Sequence, residues 1–197
     1  MKVFPAKLFP IFLAVFLTSQ ISYAATYKVD LDHTSLSFKI RHLLSNVQGQ
    51  FKDFEGTLDY DPQHPENAKA EATVKAASID TNVAPRDKHL RSADFFDVEK
   101  YPTLTFKSTK FTPEGQDKGK LEGALTIHGV EKPVVFDVDI HGVAKDPWGN
   151  VRAAFTATTK INRKDFGLVW NQAVETGQLL VGEEVIITLE VEGIQQS

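Results

Sequence analysis

Chemistry needs nucleophiles, bases, metal ligands or phosphate cradles at workable spacing, and this chain offers few. It has no cysteine, which removes thiol catalysis, disulfides and a lipid-modified N-terminal cysteine. It carries no nucleophile elbow, P-loop or dinucleotide fingerprint. Its serines fall in strand-like and turn-like stretches, and Glu183-Glu184 reads as a solvated strand start. The six histidines are His33, His42, His64, His89, His128 and His141. None stands two or four residues from another, so no local metal pair is expected. The expectation is a protein with no catalytic residues, no metal site and no cofactor.

What remains is polar groups near turns and a large stock of aromatics. The polar groups are Arg41, His42, Arg86, Asp87, His89, Arg91, Asn162, Arg163, Asp165 and Asn171. A helix start near Arg86 would present free N–H groups and a partial positive charge, suited to a phosphate or a carbonyl-bearing head group. The competing reading is scaffold. Arg86 and Asp87 would tie the helix to its loop, and Arg163 with Asp165 would pin the Phe166-Gly167 turn, because buried charges need partners. Gly167 is expected to allow a backbone conformation or an approach that a Cβ would obstruct. The aromatic stock is fourteen Phe against two Trp and one Met. Phe38, Ile40, Phe51, Phe54, Phe106, Leu125, Phe136, Val138, Phe155, Phe166, Leu168 and Trp170 would line a deep apolar pocket. They would equally serve as the plain core of an antiparallel sheet.

These residues must be positioned by strands, because most of the chain alternates with period two. Tyr27, Val29 and Leu31 share one face, as do Leu36, Phe38 and Ile40, and then Phe54, Gly56, Leu58 and Tyr60. Ala68, Ala70, Ala72, Val74 and Ala76 form a nearly all-alanine face, whose small side chains would leave interior volume unfilled. Thr103 to Phe111 is the next strand, followed by a polar loop, Thr112 to Lys120. Leu121, Gly123, Leu125 and Ile127 then pair through a turn at His128–Lys132 with Val134, Phe136, Val138 and Ile140. Ala153, Phe155, Ala157, Thr159 and Ile161 precede a final face of Val185, Ile187, Leu189 and Val191. One stretch interrupts this run. Pro85 suits a first helical turn, and Arg86 to Ala93 carries good helix formers. Phe95-Phe96 ends it as an apolar plug, and Tyr101-Pro102 breaks it. About eight antiparallel strands result, and either a closed barrel or a two-sheet sandwich would manage their edges.

The first residues read differently. Lys2 and Lys7 precede an apolar run from Leu8 to Leu17, and Ser22-Tyr23-Ala24 suits cleavage by a signal peptidase. Residues 1–24 are therefore expected to be a cleaved signal peptide, with residues 25–197 as one exported domain and no span of the bilayer after cleavage. Net charge is −4, becoming −6 without the two lysines of residues 1–24. An acidic surplus without basic clusters argues against nucleic acid and against electrostatic docking on anionic lipid.

An ordered set of motifs carries a resemblance. It runs Asp32-His33-Thr34-Ser35, Gly49-Gln50-Phe51 and Phe54-Glu55-Gly56, then Arg86-Asp87, His89-Leu90, Asp94-Phe95-Phe96-Asp97 and Tyr101-Pro102. Gly123 to Val130, Lys132-Pro133-Val134 and Asn162 to Gly167 complete it. The set is similar to the YceI-like family of periplasmic, lipocalin-like, polyisoprenoid-binding proteins, over nearly all of Ala25 to Glu192. The resemblance implies an all-β fold, a closed antiparallel lipocalin-like barrel of about eight strands with a short helical segment at one end. It implies a non-catalytic periplasmic carrier for a long-chain isoprenoid lipid: a polyprenol, a polyprenyl phosphate or a quinone-like molecule. Phe38, Ile40, His42, Arg86, His89, Phe106, Phe136, Phe155, Arg163, Phe166 and Trp170 are the expected ligand-binding residues. Asn171 to Gly182 reads as a loop over an opening, and the sequence admits a homodimer.

Overall fold

The computed structural model describes residues 25–173 and 179–196. The expected signal peptide and residues 174–178 of the expected opening loop lie outside them. Strands β1 (Ala25–Val29), β2 (Ser35–His42), β3 (Ser45–Phe51), β4 (Phe54–Tyr60), β5 (Lys69–Lys75) and β6 (Ile79–Asp80) come first. Helix α1 (Ala84–Arg91) follows, and then β7 (Thr103–Pro113), β8 (Lys118–Ile127), β9 (Val130–Lys145), β10 (Val151–Asn162) and β11 (Val181–Gln195). The pairings are antiparallel. The first six strands make three broken staves. β1 and β2 lie in succession along β11; β4 and β3 lie beside them; β5 and β6 lie beside those. With β7 to β11 this makes an eight-staved barrel, each stave paired to its neighbour in chain order and the last closed on the first. Closure removes the exposed sheet edges that a sandwich would have to cover.

Several local expectations are corrected, each for a visible reason. Leu31 does not share the face of Tyr27 and Val29. β1 ends at Val29, the Asp30 carboxylate takes the Asp32 amide in an Asx turn, and Leu31 is 54% exposed. The loop after β7 is shorter than Thr112–Lys120, because Thr112 pairs with Lys120 and Pro113 with Gly119. A bulge between Ser108 and Lys110 shifts the parity of β7, so that both Phe106 and Phe111 face inward. The β8–β9 connection is two residues rather than five. His128 and Gly129 have φ of 53° and 73°, the backbone of a type I′ turn. Pro133 lies inside β9, but β10 pairs with β9 only from Asp137 onward, so it occupies an edge-like stretch.

Helix α1 begins and ends two residues earlier than Arg86–Ala93, with Pro85 in its first turn as expected. Charged side chains fasten it. Asp87 Oδ1 accepts from the Thr81 amide at 2.9 Å and its hydroxyl at 2.5 Å. Arg91 donates to the carbonyls of Ala77 and Ile79, each at 2.7 Å. The main core runs along the barrel through Phe54, Val74, Leu104, Phe111, Leu125, Phe136, Val138 and Phe166. A second cluster, Tyr27, Tyr60 and Ala153, fills one end.

Candidate functional site

The inward faces of the staves do not fill the barrel. They enclose a cavity of about 590 Å³ whose surface is almost wholly hydrocarbon. Two features of the wall keep this space open. Ala68, Ala70 and Ala72 contribute only methyl groups on β5 and just before it, as the alanine face foreshadowed. The second feature is glycine opposite aromatic. Phe38 on β2 stands across from Gly49 on β3, and a Cβ on Gly49 would overlap the Phe38 ring. Phe106 of β7, whose paired residue on β8 is Leu125, reaches diagonally over Gly123, 2.5 Å from where a Cβ would sit. The rings therefore lie flat against the wall instead of projecting into the lumen, a known way of stabilising glycine in sheets.

The two ends differ. At one, the Tyr60 ring meets Phe155 edge-on at 5.0 Å, and Tyr27 and Tyr60 are 3% and 5% exposed. Burial raises the pKa of both phenols, with the Asp61 charge adding to the shift. At the other, α1 lies over the barrel and brings three rings together. His89 meets Phe95 at 5.0 Å and Trp170 at 4.9 Å, and its Nε2 is 2.9 Å from the Asp94 carboxylate. Phe96 packs edge-on to Phe51 at 5.7 Å. The Phe95-Phe96 pair thus sits on the cavity wall at the helical end.

Phe38, Ile40, His42, Arg86, His89, Phe106, Phe136, Phe155, Arg163 and Trp170 all lie on the cavity lining. Phe166 does not. It is 2% exposed and packs within the core, held under the turn it terminates. Arg86 is on the lining but is committed to the scaffold, donating from Nε to the Thr81 hydroxyl at 2.7 Å and from Nη2 to the Thr81 carbonyl at 2.9 Å. The Arg163–Asp165 pairing does not occur. Arg163 is 3% exposed and donates to the carbonyls of Gly182 at 2.8 Å and Leu168 at 2.5 Å, whereas Asp165 faces solvent. Gly167 has φ of 79° and lies where a Cβ would stand 3.2 Å from His128 Nδ1, so both expected reasons for glycine hold. Asn171 clasps the start of β11, donating to the Val181 carbonyl and accepting from its amide.

A polar clasp outside the cavity escaped sequence reading. Arg152 Nη1 donates to Asp30 at 2.7 Å and to Glu192 at 2.6 Å, and Nε donates to Asp146 at 2.8 Å. Asp30 also takes His33 at 2.8 Å. Asp30, His33 and Glu192 bring potential metal-ligand atoms within 4.8 Å of one another, but the Arg152 guanidinium already bridges both carboxylates. Asp30 and Glu192 are 122 and 40 residues from Arg152, so no spacing rule could have joined them.

A model of the YceI-like domain matches residues 27–193. The chain belongs to the YceI-like family. A UPF0312 protein of Photorhabdus laumondii is 42% identical over 93% of each chain. Protein YceI of Salmonella agona is 42% identical over 94% of this chain and 95% of its own. Among solved structures, the YceI protein of Campylobacter jejuni matches with a TM-score of 0.70 at 39% identity, over 81% of this chain and 91% of its own. Burkholderia cenocepacia BcnA matches with a TM-score of 0.73 at 27% identity, over 83% and 98%. A polyisoprenoid-binding domain from Saccharophagus degradans shares the fold at a TM-score of 0.66 and 14% identity, over 88% and 99%. These likenesses agree with the closed eight-staved barrel.

Proposed function

We propose that this protein is a non-catalytic periplasmic carrier that holds a long isoprenoid chain inside the barrel. The observation that carries the reading is the 590 Å³ cavity, walled by alanine methyls, aliphatic side chains and flattened aromatic rings. Such a wall offers burial and almost no hydrogen bonds, so it selects for length of apolar chain. Association costs at least about 4 kcal/mol in lost freedom, and micromolar binding needs about 8 kcal/mol net. At about 25 cal/mol per Å² the ligand must then bury roughly 500 Å² or more of apolar surface. A long hydrocarbon chain meets that need and a small polar metabolite does not. The Saccharophagus domain, of the same fold, is described as polyisoprenoid-binding, which supports the choice of chain.

A carrier is favoured over an enzyme by how the polar groups around α1 are spent. Arg86 and Thr81 are bound to each other, and Asp87 takes both the hydroxyl and the amide of Thr81. His89 is held by Asp94 and two rings. Residues 1–24 read as a cleaved export signal, and among the described residues no helix is long and apolar enough to cross a membrane. The signal-like segment supports delivery to the periplasm, where a free isoprenoid chain needs shielding from water. The test is native mass spectrometry of protein taken from the periplasm, followed by organic extraction of its cargo. One isoprenoid per chain, released on denaturation, is the expected result. An empty barrel that also refuses added polyprenols would refute the carrier.

A further inference from the structure

One charged group on the lining, Arg163, is buried, and the scaffold does not fully satisfy it. Arg163 is 3% exposed, and its Nε and Nη1 are taken by the carbonyls of Gly182 and Leu168. Its Nη2 is fully buried without a hydrogen-bond partner among the described residues. Arg163 is also part of the cavity wall, at the end where Trp170 and His42 line it. Both satisfied bonds go to neutral carbonyls, so they leave the positive charge uncompensated. The nearest carboxylate acting on it, Glu183, is already bonded to Lys164 at 2.5 Å. Burial accordingly pushes the guanidinium pKa down, with only Glu183 opposing. A buried cation with an idle donor is costly and is normally paired. Arg86, the other arginine on the wall, has no such capacity left.

We propose that Arg163 anchors an anionic head group, a phosphate, on an isoprenoid chain whose tail runs from the Trp170 end toward Tyr60. The proposal rests on the carrier reading and adds the head-group class and the orientation. Arginine suits it because its fork can keep two carbonyls while offering a further N–H pair to phosphate oxygens. The far end, among the described residues, offers no buried cation: it is closed by Tyr27, Tyr60 and Phe155, and Lys69 on the lining there is exposed. A neutral head would leave the Arg163 charge as it stands now, so head-group charge is the discriminating variable.

Calorimetric titration of the full mature chain with geranylgeranyl phosphate and with geranylgeraniol tests this, with inorganic phosphate as a third titrant. The phosphate lipid should bind about 10- to 100-fold tighter than the alcohol, the worth of a hydrogen bond to a charged group. Arg163→Met should remove that excess, bringing the affinities for the phosphate lipid and the alcohol together. Equal affinities in the wild type would overturn the anion anchor and leave the carrier reading standing. A preference kept in full by Arg163→Met would overturn the role of Arg163. Inorganic phosphate binding as tightly as the lipid would overturn the lipid assignment. Binding of neither lipid would overturn the carrier reading and this proposal together. Should Arg163→Met not fold, the arginine side-chain ¹⁵N resonances of the wild type decide. Arg163 should shift with the phosphate lipid and not with the alcohol, and no shift with either overturns the anchor.

Discussion

Replacing Ala72 by tryptophan separates an open lumen from a packed core. Ala72 lies mid-strand in β5, opposite Gly56 of β4 and Phe106 of β7, and its methyl is on the cavity wall. An indole there has few places to go except the lumen. It would occupy about 150–250 Å² of apolar contact that a bound chain would otherwise make. At about 25 cal/mol per Å² this is about 4–6 kcal/mol, or three to four decades of affinity. Stability should move the other way or not at all, since the indole gains burial without displacing side chains. Were the interior already filled, overpacking would cost about 1–3 kcal/mol. For a domain of this size that lowers Tm by about 2–12 °C. Calorimetric titration with a polyprenol and scanning calorimetry of Ala72→Trp give both quantities. Undiminished affinity would place the ligand outside the barrel, and a Tm drop of that size would mean the volume was never free.

Other perturbations probe the wall and its supports. Gly49→Ala sets a methyl against the Phe38 ring and 2.8 Å from Thr81 Cγ2. The ring must swing into the lumen, so stability should fall by about 1–3 kcal/mol in urea unfolding, and polyprenol affinity should fall with it. An unchanged pair of values would refute the account of the flattened rings. Phe166→Ala empties a side chain 2% exposed and should cost about 3–5 kcal/mol. Polyprenol affinity of the folded variant should hold, and a selective loss of binding would put Phe166 on the ligand. The Arg152 clasp makes a pH prediction. Arg152 bonds hold the carboxyls of Asp30 and Asp146 below the ordinary carboxylate range. Folded pKa values below the unfolded value of about 3.9 stabilise the fold above that pH and cease to do so on acidification through the folded values. Arg152→Met should therefore melt below the wild type at pH 7, with the gap narrowing as pH falls below about 4. A gap that stays constant down to pH 2 would mean that the clasp acts through packing alone.

The inward residues were legible wherever the wall is regular, because period two survives in β2, β4, β5, β8 and β10. The alanine face of β5 even hinted at free volume. Legibility failed where the ladder slips. The bulge in β7 brings Phe111 inward against the parity set by Phe106, and nothing in the local sequence marks it. It failed also for charge. Arg163 and Asp165 are two residues apart and of opposite sign, so pairing was the natural reading. The chain instead turns at Gly167, carrying the Leu168 carbonyl back to Arg163 and leaving Asp165 in water. Only the approach of β11 from nineteen residues away, through Gly182, completes the arrangement. The choice between core and cavity was equally out of reach of composition. The ten phenylalanines beyond residue 24 fit either. What separates the two is a glycine on the neighbouring strand, directly opposite Phe38 at Gly49 and diagonal to Phe106 at Gly123, over which a ring can lie down. Glycines inside strand patterns, which weaken a strand taken alone, are thus the wall positions that let a phenylalanine-rich barrel stay hollow.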